Sequence, residues 1–126
     1  MSEQQNRDIL EHYHQVFFEH QDIDSIADVV HDDYLEEFPQ SGERIRGKEN
    51  VRKVYESYPA LPSLIDYSYE VSGDLAVIEM TLEYYGNRMN VCEIVDFEDG
   101  KMKRLRGYFT EPFEAPEWRA HRVERM

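Results

Sequence analysis

The chain has 126 residues, 40% of them apolar and 13% aromatic, with a formal charge of -13 and a sequence pI near 4.7. That length holds one core, over residues 1–126, and excludes a second, while the apolar content excludes a disordered chain. The acidic balance argues against nucleic acid and anionic membranes as partners and speaks chiefly for solubility.

Cys92 is the one cysteine, so an intrachain disulfide is excluded and zinc motifs are too. The opening MSEQQNRDIL is polar and lacks the apolar stretch of a secretory signal. No apolar run approaches the roughly 18 residues a membrane span requires. The cytoplasm is the expected location.

Residues 3–20 read as an amphipathic helix. Ile9, Leu10, Tyr13, His14, Val16 and Phe17 form its apolar stripe, and Asp8, Glu11, His12, Gln15 and Glu19 its wet face. Asp22 caps a second helix with apolar positions Ile23, Ile26, Val29 and Val30. A strand pattern follows over Tyr34–Phe38 and ends at Pro39. Gly42 and Gly47 bracket a loop, SGERIRG. A third helix carries Val51, Val54, Tyr55 and Tyr58 on one side and stops before Pro59. The second half is a meander of strands at about 64–72, 75–85, 88–98 and 101–110, separated by Gly73-Asp74, Gly86-Asn87 and Asp99-Gly100. Pro116 opens a short helical turn bearing Trp118. Helices first and hairpins after is an α+β order.

Alternation divides each strand into two faces. Ala76, Ile78, Met80, Leu82 and Tyr84 share one, opposite Val77, Glu79, Thr81 and Glu83. On the next strand Met89, Val91, Glu93, Val95 and Phe97 share a face, and Leu105, Gly107 and Phe109 continue the apolar theme. Glu93 is thus one carboxyl in an apolar row. Burial without a cation raises a carboxyl pKa, so Glu93 can stand protonated as a hydrogen-bond donor. The alternatives are a one-residue register error, or a tie to Arg104 or Arg106. His14 sits between Leu10 and Phe17, either as a satisfied core residue or as a base. Glu36 shares a face with Tyr34 and Phe38, either among aromatics or at an exposed edge. His12, His20 and His31 read as surface residues. No set of side chains has metal-ligand spacing, and no cofactor or metal is expected. There is no Gly-rich phosphate loop and no G-x-S-x-G elbow.

The segment DIDSIADVVHDDYLEEFP, then RGKENVRKVY, VIEM and EIVDFEDGKMKRLRGYFTE, resembles ketosteroid isomerases, and the ending GYFTEPFEAPEWR resembles SnoaL-like proteins of the nuclear transport factor 2-like superfamily. The resemblance implies three N-terminal helices packed on a curved antiparallel sheet around a conical cavity, a cystatin-like roll. Relatives with this fold commonly dimerise through the convex sheet face, which here retains Val77, Thr81, Cys92 and Ile94. The isomerase's aspartate base stands just before the proline of its first strand, where this chain has Phe38. Its oxyanion-hole tyrosine corresponds to His14, its protonated aspartate to Glu93, and a supporting tyrosine to Tyr55. The implied cavity lining is His14, Phe17, Glu36, Phe38, Tyr55, Ile78, Met80, Glu93 and Phe109. Three functions are open: acid–base chemistry of isomerase or cyclase type on a small hydrophobic organic molecule, with His14 or Glu36 as base and Glu93 as oxyanion donor; ligand binding without catalysis; or a dimerisation module.

Overall fold

The computed structural model describes residues 2–19 and 22–126; His20 lies outside them. Ser2 starts the first helix with a reciprocal cap: its hydroxyl accepts from the Gln5 amide at 3.2 Å, and the Gln5 side chain accepts from the Ser2 amide at 3.0 Å. The helix is α-helical over Glu3–His14 (α1) and then widens into a π-helical turn over Gln15–Glu19. Asp22 caps the next element as expected, accepting from the Ser25 amide at 3.3 Å. That element is a single 3-10 stretch, Ile23–Asp28. It is shorter than expected, because Val30 already opens the first strand, β1 (Val30–Phe38).

The segment expected as a loop contains an edge strand, β2 (Glu43–Arg46), paired antiparallel to β1 with Leu35 opposite Arg46 and Phe38 opposite Glu43. Helix α2 (Lys48–Glu56) follows. The meander is β3 (Ser63–Ser72), β4 (Leu75–Tyr84), β5 (Asn87–Glu98) and β6 (Lys101–Thr110). Asp99 and Gly100 both take positive φ, 52° and 73°, as their type I′ turn requires. One turn sits a residue earlier than expected: Tyr85 and Gly86 take the positive φ values, and Asn87 already belongs to β5.

The six strands lie in the order β2-β1-β6-β5-β4-β3. The α+β class stands, with one difference from the antiparallel expectation. β1 runs parallel to β6, with Glu36 opposite Leu105, so the sheet is mixed. Long-range pairing of the first strand with the last has no local signature in the sequence. Helices α1 and α2 cover the concave face, where Leu10, Tyr13, Val51 and Tyr55 join Ile78, Val95 and Leu105 in the core. Each fully buried aliphatic side chain there contributes roughly 1.5–3 kcal/mol.

Candidate functional site

The strand registers place Tyr34, Glu36 and Phe38 of β1 on the concave face together with Leu105, Gly107 and Phe109 of β6 and Val91, Glu93 and Val95 of β5. Glu36 and Glu93 are both buried, at 3% and 7% exposure. The face assignment of Glu93 therefore holds. Its two alternative partners are on the outer side, where Arg104 binds Glu37 and Arg106 approaches Asp96 at 3.8 Å.

The two carboxyls differ in their surroundings. The Tyr55 hydroxyl lies 2.7 Å from both oxygens of Glu36, and the Tyr34 hydroxyl donates to Oε1 at 3.0 Å. Burial raises the Glu36 pKa, and these two hydroxyls work against that rise. Glu93 has no such help. Its Oε1 is buried with no hydrogen-bond partner, and burial, then the charge of Glu36, push its pKa up to about 8. Gly107 is the residue opposite Glu93 on β6. It presents no side chain toward the carboxyl, and a Cβ there would meet the Phe109 ring at 3.1 Å. The Phe109 ring thus lies over the floor beside Glu93.

Tyr13 completes the cluster from α1. Burial, then the charges of Glu93 and Glu36, hold its hydroxyl well above the usual tyrosine range. The residue expected in that place was His14. One step along a helix is a turn of about 100°, and it takes the imidazole to the other side. His14 packs on Tyr67 of β3 with ring centroids 4.3 Å apart, and both its nitrogens are buried without partners. Burial lowers its pKa to about 4 against the opposing charge of Glu11. Glu11 itself accepts from Tyr69 and, at 3.1 Å, from Tyr67. β3 is two strands from β5, roughly 10 Å at ordinary strand spacing, so His14 is not brought together with the carboxyl pair.

An open cavity of about 650 Å³ lies at the end of the sheet, lined by residues that include Phe38, Val54, Tyr58, Leu82, Met89 and Phe109. Of the expected lining, Phe38 and Phe109 face it. Phe17, Tyr55, Ile78 and Met80 are instead packed in the core at 7%, 6%, 0% and 6% exposure, and His14, Glu36 and Glu93 also stand away from the open space. Tyr58 links the two regions. It lines the cavity, its ring centroid is 5.8 Å from that of Tyr55, and after burial the Glu36 charge is what raises its pKa most.

Sequence reading missed Tyr13, Tyr34 and Tyr58 as site residues. Tyr34 had a usable signal, since it shares a strand face with Glu36 two residues away. Among the described residues no three His, Cys, Asp or Glu side chains come together as a metal site.

The architecture, with helices on the concave side of a six-strand mixed sheet, is the nuclear transport factor 2-like fold, also that of ketosteroid isomerases. The SnoaL-like domain family matches residues 10–105, and the chain belongs to that family. An NTF-2 like protein of unknown function from Burkholderia xenovorans LB400 is 31% identical, with 98% of this chain and 97% of that one covered and a TM-score of 0.86. A protein named as a candidate ketosteroid isomerase from Kribbella flavida is 24% identical, with 98% and 90% covered and a TM-score of 0.88. A candidate SnoaL-like polyketide cyclase from Jannaschia sp. CCS1 is 16% identical, with 84% and 85% covered and a TM-score of 0.69. No curated protein matches the chain significantly. No helix among the described residues is long and apolar enough to cross a membrane.

Proposed function

We propose that this chain binds a small, largely apolar organic molecule in the cavity bounded by Phe38, Tyr58 and Phe109, and moves a proton on it with Glu36 and Glu93. The observation that carries the reading is the unpartnered oxygen of Glu93 in the same buried cluster as a tyrosine-held Glu36. Two carboxyls whose surroundings differ this way divide into an acid and a base at neutral pH. Glu36 takes a proton from carbon next to a carbonyl, and the electron pair of that C–H bond becomes an enolate. Neutral Glu93 donates a hydrogen bond to the enolate oxygen, and return of the proton to another carbon gives an isomer. Relatives of the same fold named for isomerase and cyclase chemistry support the reaction class. His14 has no part in it.

The ketosteroid reaction itself is not expected. Phe38 stands where that family carries its base, and Glu36 is about 6–7 Å away along the strand, so the same substrate pose does not fit. The second reading, binding without turnover, is favoured by one observation: neither carboxyl lines the open cavity. Equilibrium binding of a phenol, which mimics the enolate, is the test, run beside turnover of β,γ-unsaturated ketones. Phenol binding lost in Glu93→Leu, which keeps the bulk and removes the donor, with turnover lost in Glu36→Gln, supports the acid–base reading. Phenol binding with no turnover of any ketone leaves the binder. Steroid turnover abolished by Glu36→Gln overturns the argument from Phe38.

We infer further that the chain forms a homodimer through its outer sheet face. Val77 is 38% exposed there, beside Thr81, Cys92 and Ile94, an apolar strip on a face otherwise open to water.

A further inference from the structure

The chain leaves the sheet at Thr110, passes through residues 111–116 without regular structure, and takes a 3-10 turn over Glu117–Arg122. Along it Phe113, Trp118 and Val123 are 82%, 75% and 52% exposed. Among the described residues no side chain of 111–126 forms a hydrogen bond or ion pair, and the Arg119 guanidinium lies 5.8 Å from the Trp118 ring. The last residue, Met126, comes back to the outer sheet face and borders a groove with Asp66, Glu79, Cys92 and Tyr108. Two large aromatic side chains on a chain of this acidity, held off their own core, leave a large apolar surface without a partner.

We propose that the C-terminal tail is a clasp: Phe113 and Trp118 of each copy rest on the outer sheet face of a second copy of this chain. The proposal rests on the homodimer reading above and names what holds that dimer together. The occupant is a second copy because the outer face is complementary to itself. Its β3–β4 side carries Asp66, Glu70 and Glu79, and its β6–β1–β2 side carries Arg44, Arg46, Arg104 and Arg106 around Glu37, with Asp96 of β5 beside them. A two-fold axis along the strands lays the acidic side of each copy over the basic side of the other. An axis across the strands would set like over like. The area also suffices. Aromatic side chains bury roughly 150–250 Å² each, so four of them give roughly 600–1,000 Å² before the Val77 and Ile94 strip adds its share. A specific interface needs about 1,000 Å².

Trp118 is the chain's one tryptophan, so its fluorescence reports on the clasp alone. Sedimentation velocity and tryptophan emission are followed on the full chain from sub-micromolar to tens of micromolar concentration. The expected result is a monomer–dimer equilibrium in which emission shifts to the blue as the dimer forms. The Phe113→Ala/Trp118→Ala double variant keeps the circular dichroism of the parent and dimerises roughly tenfold or more weakly. A dimer unaffected by the double variant, or one whose indole emission stays that of an exposed ring, overturns the clasp and leaves the sheet dimer standing. A full chain that sediments only as monomer overturns both.

Discussion

Glu36 and Glu37 are neighbours on β1, and the two sides of the sheet treat the same carboxyl group in opposite ways. Glu36 points inward to Tyr34 and Tyr55, neutral hydroxyls that supply hydrogen bonds without charge. Its pKa is raised by burial. Glu37 points outward between two guanidinium groups, Arg44 at 2.5 and 2.6 Å and Arg104. Burial pushes the Glu37 pKa up as well, but hydrogen bonds from Arg104 and Arg44 and their charges outweigh it and leave it lowered. Both residues are nearly closed to water, at 3% and 7% exposure. Burial alone therefore does not set the state of a carboxyl here; the charge of what closes over it does. The inner side leaves its carboxyls with raised pKa values, while the outer side holds one as an anion that ties β2 and β6 to β1.

The largest effect expected from this contrast is at Glu93, the inner carboxyl with no hydroxyl to support it. Its folded pKa of about 8 stands above the unfolded value, so the unfolded chain releases this proton first as pH rises. The group therefore opposes folding increasingly above the unfolded pKa, and the penalty levels off above about 8. Replacement by glutamine removes it. The rise to about 8 amounts to about 4 kcal/mol near pH 8 and about 3 kcal/mol at pH 7. Glu93→Gln is expected to gain that less about 1 kcal/mol for its unpartnered amide, and to gain nothing near pH 4. Urea denaturation at the three pH values measures it, and a loss of stability at pH 8 would mean that Glu93 is an ionised partner after all.

Glu37 should show the opposite sign. Its lowered pKa contributes stability that is present above the unfolded carboxyl value and lost as pH falls through the folded one. Glu37→Gln is expected to cost about 1–2 kcal/mol at pH 7, since both arginines are partly exposed and water replaces part of what they lose. In acid, where the parent's carboxyl is itself protonated, the two chains should converge. Equal costs at pH 7 and pH 3 would show that the contact works by shape and not by charge, and the contrast between the two sides of β1 would fail.

Much of this contrast was legible in the sequence. Alternation along β4 and β5 put Glu93 on the inner face, because a period of two leaves a single odd carboxyl visible in an apolar row. Glu36 was visible in the same way through Tyr34 and Phe38. Other features were hidden for physical reasons. ERIR is short and mostly charged, as edge strands are, so it has no apolar alternation to mark β2. The parallel pairing of β1 with β6 joins segments some seventy positions apart, and no turn residue announces it. Val29 and Val30 fit an apolar helix face as readily as the start of a strand. The cavity lining was read too widely for a similar reason: inward direction was visible, but not that Phe17, Tyr55 and Ile78 are closed into the core cluster while Phe38 and Phe109 border open space.

His14 extends the comparison to a base, and at neutral pH it should give the smallest effect of the three. It is buried against Tyr67 with both nitrogens unpartnered, and Glu11 is the charged group that bears on it. For a base, burial without a partner lowers the pKa, here to about 4. The unfolded chain then takes up this proton first, near the ordinary histidine value of about 6.5. Stability is lost as pH falls from there toward the folded value, and it is unaffected above. His14→Phe keeps the ring packing and removes the titration. It should fall within about 1 kcal/mol of the parent at pH 7 and exceed it by about 2–3 kcal/mol near pH 4. Ketone turnover and phenol binding should be unchanged at neutral pH, since the imidazole is turned to β3 and away from Glu36 and Glu93. A variant that loses phenol binding without losing stability would bring His14 back into the site and make Tyr13 the bystander.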